Sequence, residues 1–167
     1  SRHVSSWLSN INIPSEIAEI ARSFDDDGKI NNGIYPKLDS LNSNIISLKV
    51  EIKKSINKIL QKDRILPYLV DKQTHLIDSK ECLLLKAGFN KYLDGRILER
   101  SSAGYFYVFP SQLQSLYDRL DKLQVEIEIL IYEIESDISR VFLKNHVFLK
   151  YINREFDKFD SIQARVI

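Results

Sequence analysis

The stretch that decides the fold runs from Ser111 to Ile134, SQLQSLYDRLDKLQVEIEILIYEI. Within it Leu113, Leu116, Leu120, Leu123, Ile127, Leu130 and Ile134 recur at a 3-4-3-4-3-4 spacing. That is the heptad period of a long helix with one apolar seam. Asp118, Arg119, Asp121, Lys122, Glu126, Glu128, Glu133 and Glu135 fill positions between, which predicts a solvated outer face. Ser111, just after Pro110, is placed to cap the helix. Ile138 and Val141 carry the pattern on after a slip in phase.

Upstream lies a second stretch of the same kind. Pro36 opens it, and Leu38, Leu41, Ile45, Leu48 and Ile52 follow at 3-4-3-4 spacing. Ile56 and Ile59 continue with the phase shifted by one. Helical to Leu60, this rod is about 37 Å long at about 1.5 Å per residue.

Between the two rods the period changes. From Thr74 to Pro110 it is nearer two, with Gly88, Gly95 and Gly104 as punctuation. His75-Leu76-Ile77 and Cys82-Leu83-Leu84-Leu85 flank the polar Asp78-Ser79-Lys80-Glu81, which reads as a hairpin. Arg96-Ile97-Leu98-Glu99 and Tyr105-Phe106-Tyr107-Val108-Phe109 supply one or two further strands. A β-module this small needs support from its neighbours.

The ends are shorter pieces. Trp7, Leu8, Ile11 and Ile13 show no clean period, Pro14 suits a first helical position, and Ile17, Ile20, Ala21 and Phe24 predict a short amphipathic helix. Asp25-Asp26-Asp27-Gly28 and Asn31-Asn32-Gly33 are turn signals that make a small loop or ribbon. After Asn145-His146 the apolar positions Phe148, Ile152, Phe156, Phe159 and Ile162 mark a third helix or a bent continuation.

The expected fold is mainly α with a small antiparallel β-module: two long antiparallel coiled-coil-like helices with a β-tip, plus shorter helices. Composition agrees. In 167 residues there are only 5 Gly and 4 Pro, too few turn formers for a sandwich or barrel of many short strands. Hydrophobic residues at 44% supply a core, and charged residues at 28% with a net charge of 24 − 23 = +1 give no global field that advertises nucleic acid or an anionic membrane. A single cysteine excludes an internal disulfide and fits a reducing compartment. No run of about 18 apolar residues marks a membrane span, and no charged-then-apolar leader opens the chain. Together these point to a cytoplasmic protein, and the lack of methionine, even at position 1, to a trimmed chain.

Catalytic constellations are scarce. Gly28-Lys29 lacks the upstream glycine and the following hydroxyl of a phosphate-binding loop. Ser23 to Ile34 has Asp25, Asp27 and Gly28 where a calcium loop has them, but Ser and Ile stand at its first and last ligand positions, which leaves a plain Asp/Gly turn as the simpler reading. His3, His75 and His146 are far apart and none is at ligand spacing with Cys82, so no metal site is expected. Cys82, beside Leu83 and Leu84, reads as a small buried hydrophobe. No catalytic residue is assigned and no enzyme activity is expected of this segment itself.

The β-module is richer. Lys80, Lys86, Lys91, Arg96 and Arg100 are interleaved with Phe89, Tyr92, Tyr105 and Tyr107. Such cations neutralise phosphates, and such rings lie against a sugar or base. The candidate nucleic-acid contacts are Lys80, Lys86, Lys91, Tyr92, Arg96 and Arg100. The alternative is that the rings pack the sheet onto the helices and the cations are ordinary solvated surface.

The order of motifs resembles the core, lever and clamp region of the MutS family, nearest its MutS-two branch. Phe24-Asp25-Asp26-Asp27-Gly28-Lys29-Ile30 followed by Tyr35-Pro36-Lys37-Leu38 is similar to the acidic-Asp-Gly-x-Ile and Ala-Ser-Pro-x-Leu stretch that begins a lever helix. Leu76 to Lys86 is similar to the family's Thr-Ile-Arg-Asp-Gly-Arg-Tyr-Val-Ile-Pro-Val-Lys hairpin. Gly95 to Leu98 and Ser101 to Pro110 match the strand pair around Ser-x-Ser-Gly-x-Thr-x-Phe-x-Glu-Pro, and Asp160 to Arg165 resembles the Leu-Asp-x-x-x-Ala-x-Ala before the ATPase domain. The sequence departs from the pattern at Ser79 (for Gly), Glu81 (for an aromatic), Leu84 (for Pro), Ala103 (for Ser) and Phe109 (for Glu).

The resemblance implies a division into a core helix and acidic-Gly loop (1–35), a first lever helix (36–66), a β-rich clamp-like tip (67–110), a second lever helix (111–144) and a return helix (145–167) toward an ATPase domain outside this sequence. It implies a homodimeric DNA-repair or recombination ATPase using ATP and Mg, no cofactor in this segment, and duplex or branched DNA or the ribosome as partner. The alternative from a different class is a non-catalytic coiled-coil interaction scaffold that self-associates through an exposed apolar seam.

Overall fold

A computed structural model describes residues 11–163, with side chains to Lys158. His3, Trp7, Leu8, Ala164 and Arg165 lie outside the described residues, as do the side chains of Phe159, Asp160 and Ile162. The described chain forms helices α1 (Ser15–Arg22), α2 (Pro36–Leu60), α3 (Gln114–Lys144) and α4 (His146–Gln163), with strands β1 (Leu69–Ile77), β2 (Lys80–Leu85), β3 (Gly95–Arg100) and β4 (Phe106–Pro110) between α2 and α3. The strands make one antiparallel sheet in the order β1-β2-β4-β3. The mainly helical class with a small antiparallel module is as the periodicities predict. Contacts divide the chain into two units, Ser40–Ile127 and the combination of Ser1–Asp39 with Glu128–Ile167.

In the Ser40–Ile127 unit the heptad positions Leu48, Ile52, Ile56 and Ile59 join Leu83, Leu85, Val108, Phe109, Leu113, Leu116 and Leu120 in one continuous core. Ile56 and Ile59, past the phase slip, are fully buried. Strand register puts Leu83, Leu85 and Val108 on one sheet face and Cys82 and Phe109 on the other, and all five are sealed from solvent. With both faces covered, β2 reads as the unbroken apolar run Cys82–Leu85 rather than as an alternation. Truncating Phe109 to alanine in such a core costs about 3–5 kcal/mol.

The hairpin is tighter than the polar tetrad suggests. Asp78 and Ser79 alone make the turn, both left-handed at φ 48° and 62°, while Lys80 and Glu81 enter β2 opposite Ile77 and Leu76. Two positive φ values in a two-residue link are the type I′ geometry that matches strand twist. Strand β1 also starts at Leu69, before the expected Thr74, with a register shift between them. Where β3 meets β4, a Cβ on Gly95 would lie 2.7 Å from Val108 Cγ1 and 2.8 Å from the Phe109 carbonyl oxygen, so only glycine fits.

Ser111 does not cap α3. It opens a 3₁₀ turn, Ser111–Leu113, that runs into the helix, and its own amide donates to the Asp94 carbonyl (3.0 Å). Residues after Leu60 leave the helix for turns and a 3₁₀ segment, Leu66–Tyr68. Asp118, Arg119, Asp121, Lys122 and Glu126 are exposed as expected, except that Lys122 and its neighbours still border the seam, and Arg119 reaches Glu51 of α2 at 3.6 Å.

In the other unit, α1 starts at Ser15, with extended Pro14 before it rather than inside it. The acidic loop is held by itself: Asp25 Oδ1 accepts from the amides of Asp27 (3.0 Å) and Lys29 (2.7 Å), and Phe24 bridges Ile30. This is the small ribbon of the plain-turn reading. Asn145 separates α3 from α4, so the last segment is a distinct helix. Phe156, expected on its apolar face, is half exposed. Glu16 of α1 accepts from Lys144 Nζ (2.6 Å) and Asn145 Nδ2 (3.2 Å), and those two bonds hold its carboxyl below the ordinary range.

Candidate nucleic-acid interface

Sheet register sorts the candidate residues. Leu69, Leu85, Phe106 and Arg100 form one row across all four strands. At that end of the sheet the turn before β1 arrives, the segment after β2 departs, and the Ser101–Tyr105 turn joins β3 to β4. Ile77 opposite Lys80 and Gly95 opposite Pro110 mark the other end.

Lys86, Lys91, Tyr92 and Arg100 gather at the first end. The Lys86 amide donates to the Tyr68 carbonyl at 2.8 Å, and the Tyr68 and Tyr92 rings lie 5.2 Å apart at 35°. Lys91 closes the 3₁₀ turn Phe89–Lys91, whose Phe89 ring is 6.1 Å from that of Phe106. Arg100 sits 5.0 Å over the Phe106 ring, at the other side of this aromatic group. Gly88 lets Tyr68 come close, since a Cβ there would be 3.2 Å from Tyr68 Cε1. Desolvation, then Tyr92 beside it, pushes the Tyr68 hydroxyl above its usual value.

Lys80 and Arg96 are elsewhere. Both belong to the opposite sheet end and, by register, to the face that carries Phe109; Lys80 Nζ is 5.6 Å from the Phe109 ring. Phe89 is buried, as the packing alternative has it, whereas Tyr92 is 49% exposed. Tyr107 meets His75 edge-on at 5.3 Å. The rings thus divide between packing and surface.

Two further cations belong with this end. Lys62 and Arg64 follow α2 and line, with Tyr92 and Leu93, a groove of about 540 Å³. Their signal in the sequence is the Lys62-Asp63-Arg64 run just before Pro67, which the 36–66 division places in the first lever helix. Among the described residues, Lys62, Arg64, Lys86, Lys91 and Arg100 take part in no ion pair. Asp63 lies between Lys62 and Arg64 in the chain and Glu99 precedes Arg100, yet neither of these carboxylates is within ion-pair distance of a cation of this group, which leaves the cations open to an anionic partner.

The residues tested for other chemistry have structural partners. Cys82 is buried, and its thiol is pushed up to about 11, first by desolvation and then by the Asp78 charge, which makes it a poor nucleophile at neutral pH. His75 is the cross-strand partner of Cys82, but its imidazole Nε2 contacts both Asp71 oxygens (3.0 and 3.2 Å). Among the described residues no three His, Cys, Asp or Glu side chains are placed to hold a metal ion. No described helix is long and apolar enough to cross a membrane.

The described residues thus define a four-stranded antiparallel module that lies in the chain between two long helices and has, at one sheet end, cations in no ion pair among the described residues and a half-exposed tyrosine. The chain is 40% identical over 159 residues to Endonuclease MutS2 of Helicobacter pylori, covering 95% of this chain and 21% of that protein. It is 29% identical over 140 residues to Endonuclease MutS2 of Borreliella burgdorferi (83% of this chain, 18% of the relative), and 25% identical over 154 residues to that of Thermotoga neapolitana (89% and 20%). No family model matches the chain. It is a MutS2-related sequence that spans about one fifth of the length of these relatives.

Proposed function

We propose that this chain is the lever and clamp segment of a MutS-like DNA-repair or recombination ATPase. It contacts DNA at the basic end of its β-module and couples that contact, through α2 and α3, to a nucleotide site outside this sequence. The observation that carries the reading is the placement of Lys86, Lys91 and Arg100 at one end of the sheet and of Lys62 and Arg64 along the groove beside Tyr92, none of them in an ion pair among the described residues. A net charge of +1 conceals this patch because the outer face of α3 is acidic. The long helices suit a lever, since heptad packing makes a stiff rod that carries displacement over tens of ångströms.

By resemblance, the whole protein is a cytoplasmic homodimer that uses ATP and Mg, and its partner is duplex or branched DNA, or the ribosome. The relatives are named as endonucleases, which adds that activity to the proposal for the whole protein, again outside these residues. Fluorescence anisotropy of the intact protein with labelled duplex and four-way-junction DNA at low salt tests the reading. Charge reversal of Lys86, Lys91 and Arg100 together weakens binding by an order of magnitude or more. Unchanged affinity contradicts it.

A second reading, the coiled-coil interaction scaffold, is favoured by large apolar side chains left in solvent: Ile46, Val50 and Val125 in one unit, Ile129, Tyr132, Leu143 and Val147 in the other. It predicts self-association of this segment in sedimentation, and a monomer at high concentration counts against it.

A further inference from the structure

The groove beside Tyr92 has a chemistry of its own. Ile59, Ile65 and Leu93 are buried beneath it, Tyr92 stands half exposed at its side, and Lys62 and Arg64 line it with Asp63 as the carboxylate among them. Its volume, about 540 Å³, is in the range that accepts a small-molecule-sized group. Tyr68 backs the Tyr92 ring, so the ring is already held and little ordering is needed when something lies against it. Lys91, the residue before Tyr92, adds a cation beside the groove and Asp94, after Leu93, a second carboxylate, so cations outnumber carboxylates by three to two.

We infer that this groove takes an unpaired nucleobase of a DNA strand, stacked on Tyr92, with the flanking phosphates neutralised by Lys62, Arg64 and Lys91. The occupant must be anionic and must also present a flat apolar face, and a nucleotide joins both properties in one unit. The base must be unpaired because a paired base has its faces covered by its neighbours in the duplex. An aromatic platform inside a cationic groove is how single strands are held without sequence preference. The inference rests on the DNA-binding reading and sharpens it: duplex contact uses the wider basic end, whereas the groove selects DNA that has a gap, tail or branch point.

The test uses the intact protein and three probes of equal length: fully paired duplex DNA, the same duplex with a short single-stranded gap, and the gapped form with RNA in the exposed strand. The gapped DNA is expected to bind about tenfold tighter than the duplex, the effect of one stacked base. Tyr92→Ala abolishes that preference, costing gapped DNA the stacking share beyond any loss it causes on the duplex, while Tyr92→Phe retains it, because stacking does not need the hydroxyl. A fluorescent base analogue in the gap is quenched by the native protein and not by Tyr92→Ala. Should Tyr92→Ala not fold, Lys62→Gln with Arg64→Gln, on an exposed turn, lowers the salt slope for gapped DNA by about 1.4, at about 0.7 for each single-strand phosphate.

Equal affinity for gapped and paired DNA, a preference that survives Tyr92→Ala, an unchanged salt slope in the Lys62/Arg64 variant, or a preference for the RNA probe overturns the inference while the DNA-binding reading stands. Loss of all DNA binding overturns both.

Discussion

Ser79 stands in a left-handed conformation, φ 62°, at the second position of the β1–β2 turn, where the family's hairpin has glycine. A non-glycine residue held there costs about 1–2 kcal/mol through the clash of Cβ with the following carbonyl. No hydrogen bond from the Ser79 hydroxyl offsets this among the described residues. Ser79→Gly removes the clash but raises the entropy of the unfolded chain, worth about 0.4–1 kcal/mol in the opposite direction. The net expectation is a gain of about 0.5–1 kcal/mol. For a chain of this size that is a Tm increase of about 1–4 °C. Thermal melts followed by circular dichroism, with urea titration as a second probe, read it: the midpoint rises and the urea slope stays constant. Ser79→Val moves the other way, because a β-branched residue tolerates positive φ worse. If Ser79→Gly lowers the Tm, or Ser79→Val is neutral, the type I′ turn is wrong and so is the register that brings Lys80 to Ile77.

Gly95→Ala is expected to destabilise by about 1–3 kcal/mol, since its Cβ meets Val108 and the Phe109 backbone, which cannot both retreat from a packed sheet; a neutral denaturation midpoint would refute the close approach of β3 to β4. Glu16→Gln loosens α1 from Lys144 and Asn145, and amide exchange in α1 quickens accordingly. Because the Glu16 pKa is depressed on folding from 4.5, its contribution is present above that value and disappears as pH falls through the folded value; Glu16→Gln makes exchange in α1 insensitive to the titration of this group in that interval. Cys82 behaves in the opposite sense. Its pKa is raised from 9.0 to about 11 on folding, so the stability it supplies is complete below pH 9 and is lost as pH rises through 11. Cys82→Ala flattens that alkaline limb, and a thiol reagent labels the native protein only at its opening rate; rapid labelling would contradict burial.

The helices are legible because heptad spacing is a direct record of which side faces the core. Leu38, Leu41, Leu48, Ile52, Leu113, Leu116, Leu120 and Ile134 are all buried. The sheet is legible in outline, through its glycines and aromatic strand, but not in detail. Cys82–Leu85 conceals its alternation because both faces of β2 are covered, and Asp78-Ser79 reads as half of a longer polar loop because neither residue advertises a positive φ as glycine does. The cations and rings of the candidate interface can be picked out singly in the sequence, but which of them share a surface cannot. Lys80 and Lys86 are six apart on one strand and its exit, yet they emerge at opposite ends of the sheet, while Lys62 and Arg64, far upstream, come to line a groove with Tyr92. Strand direction and register decide those neighbours, and no spacing in a single sequence encodes them.

The proposed DNA interface is tested most directly by the salt dependence of duplex affinity for the intact protein and two charge variants. Replacing Lys86, Lys91 and Arg100 with glutamine should reduce the slope of log K against log salt by about 0.9 for each phosphate no longer neutralised, or roughly 2–3 in all. Replacing Lys80 and Arg96, at the other end of the sheet, should leave the slope where it was. A slope that does not change in the first variant, or that falls as far in the second, would contradict the placement of the DNA at the Tyr68–Tyr92 end.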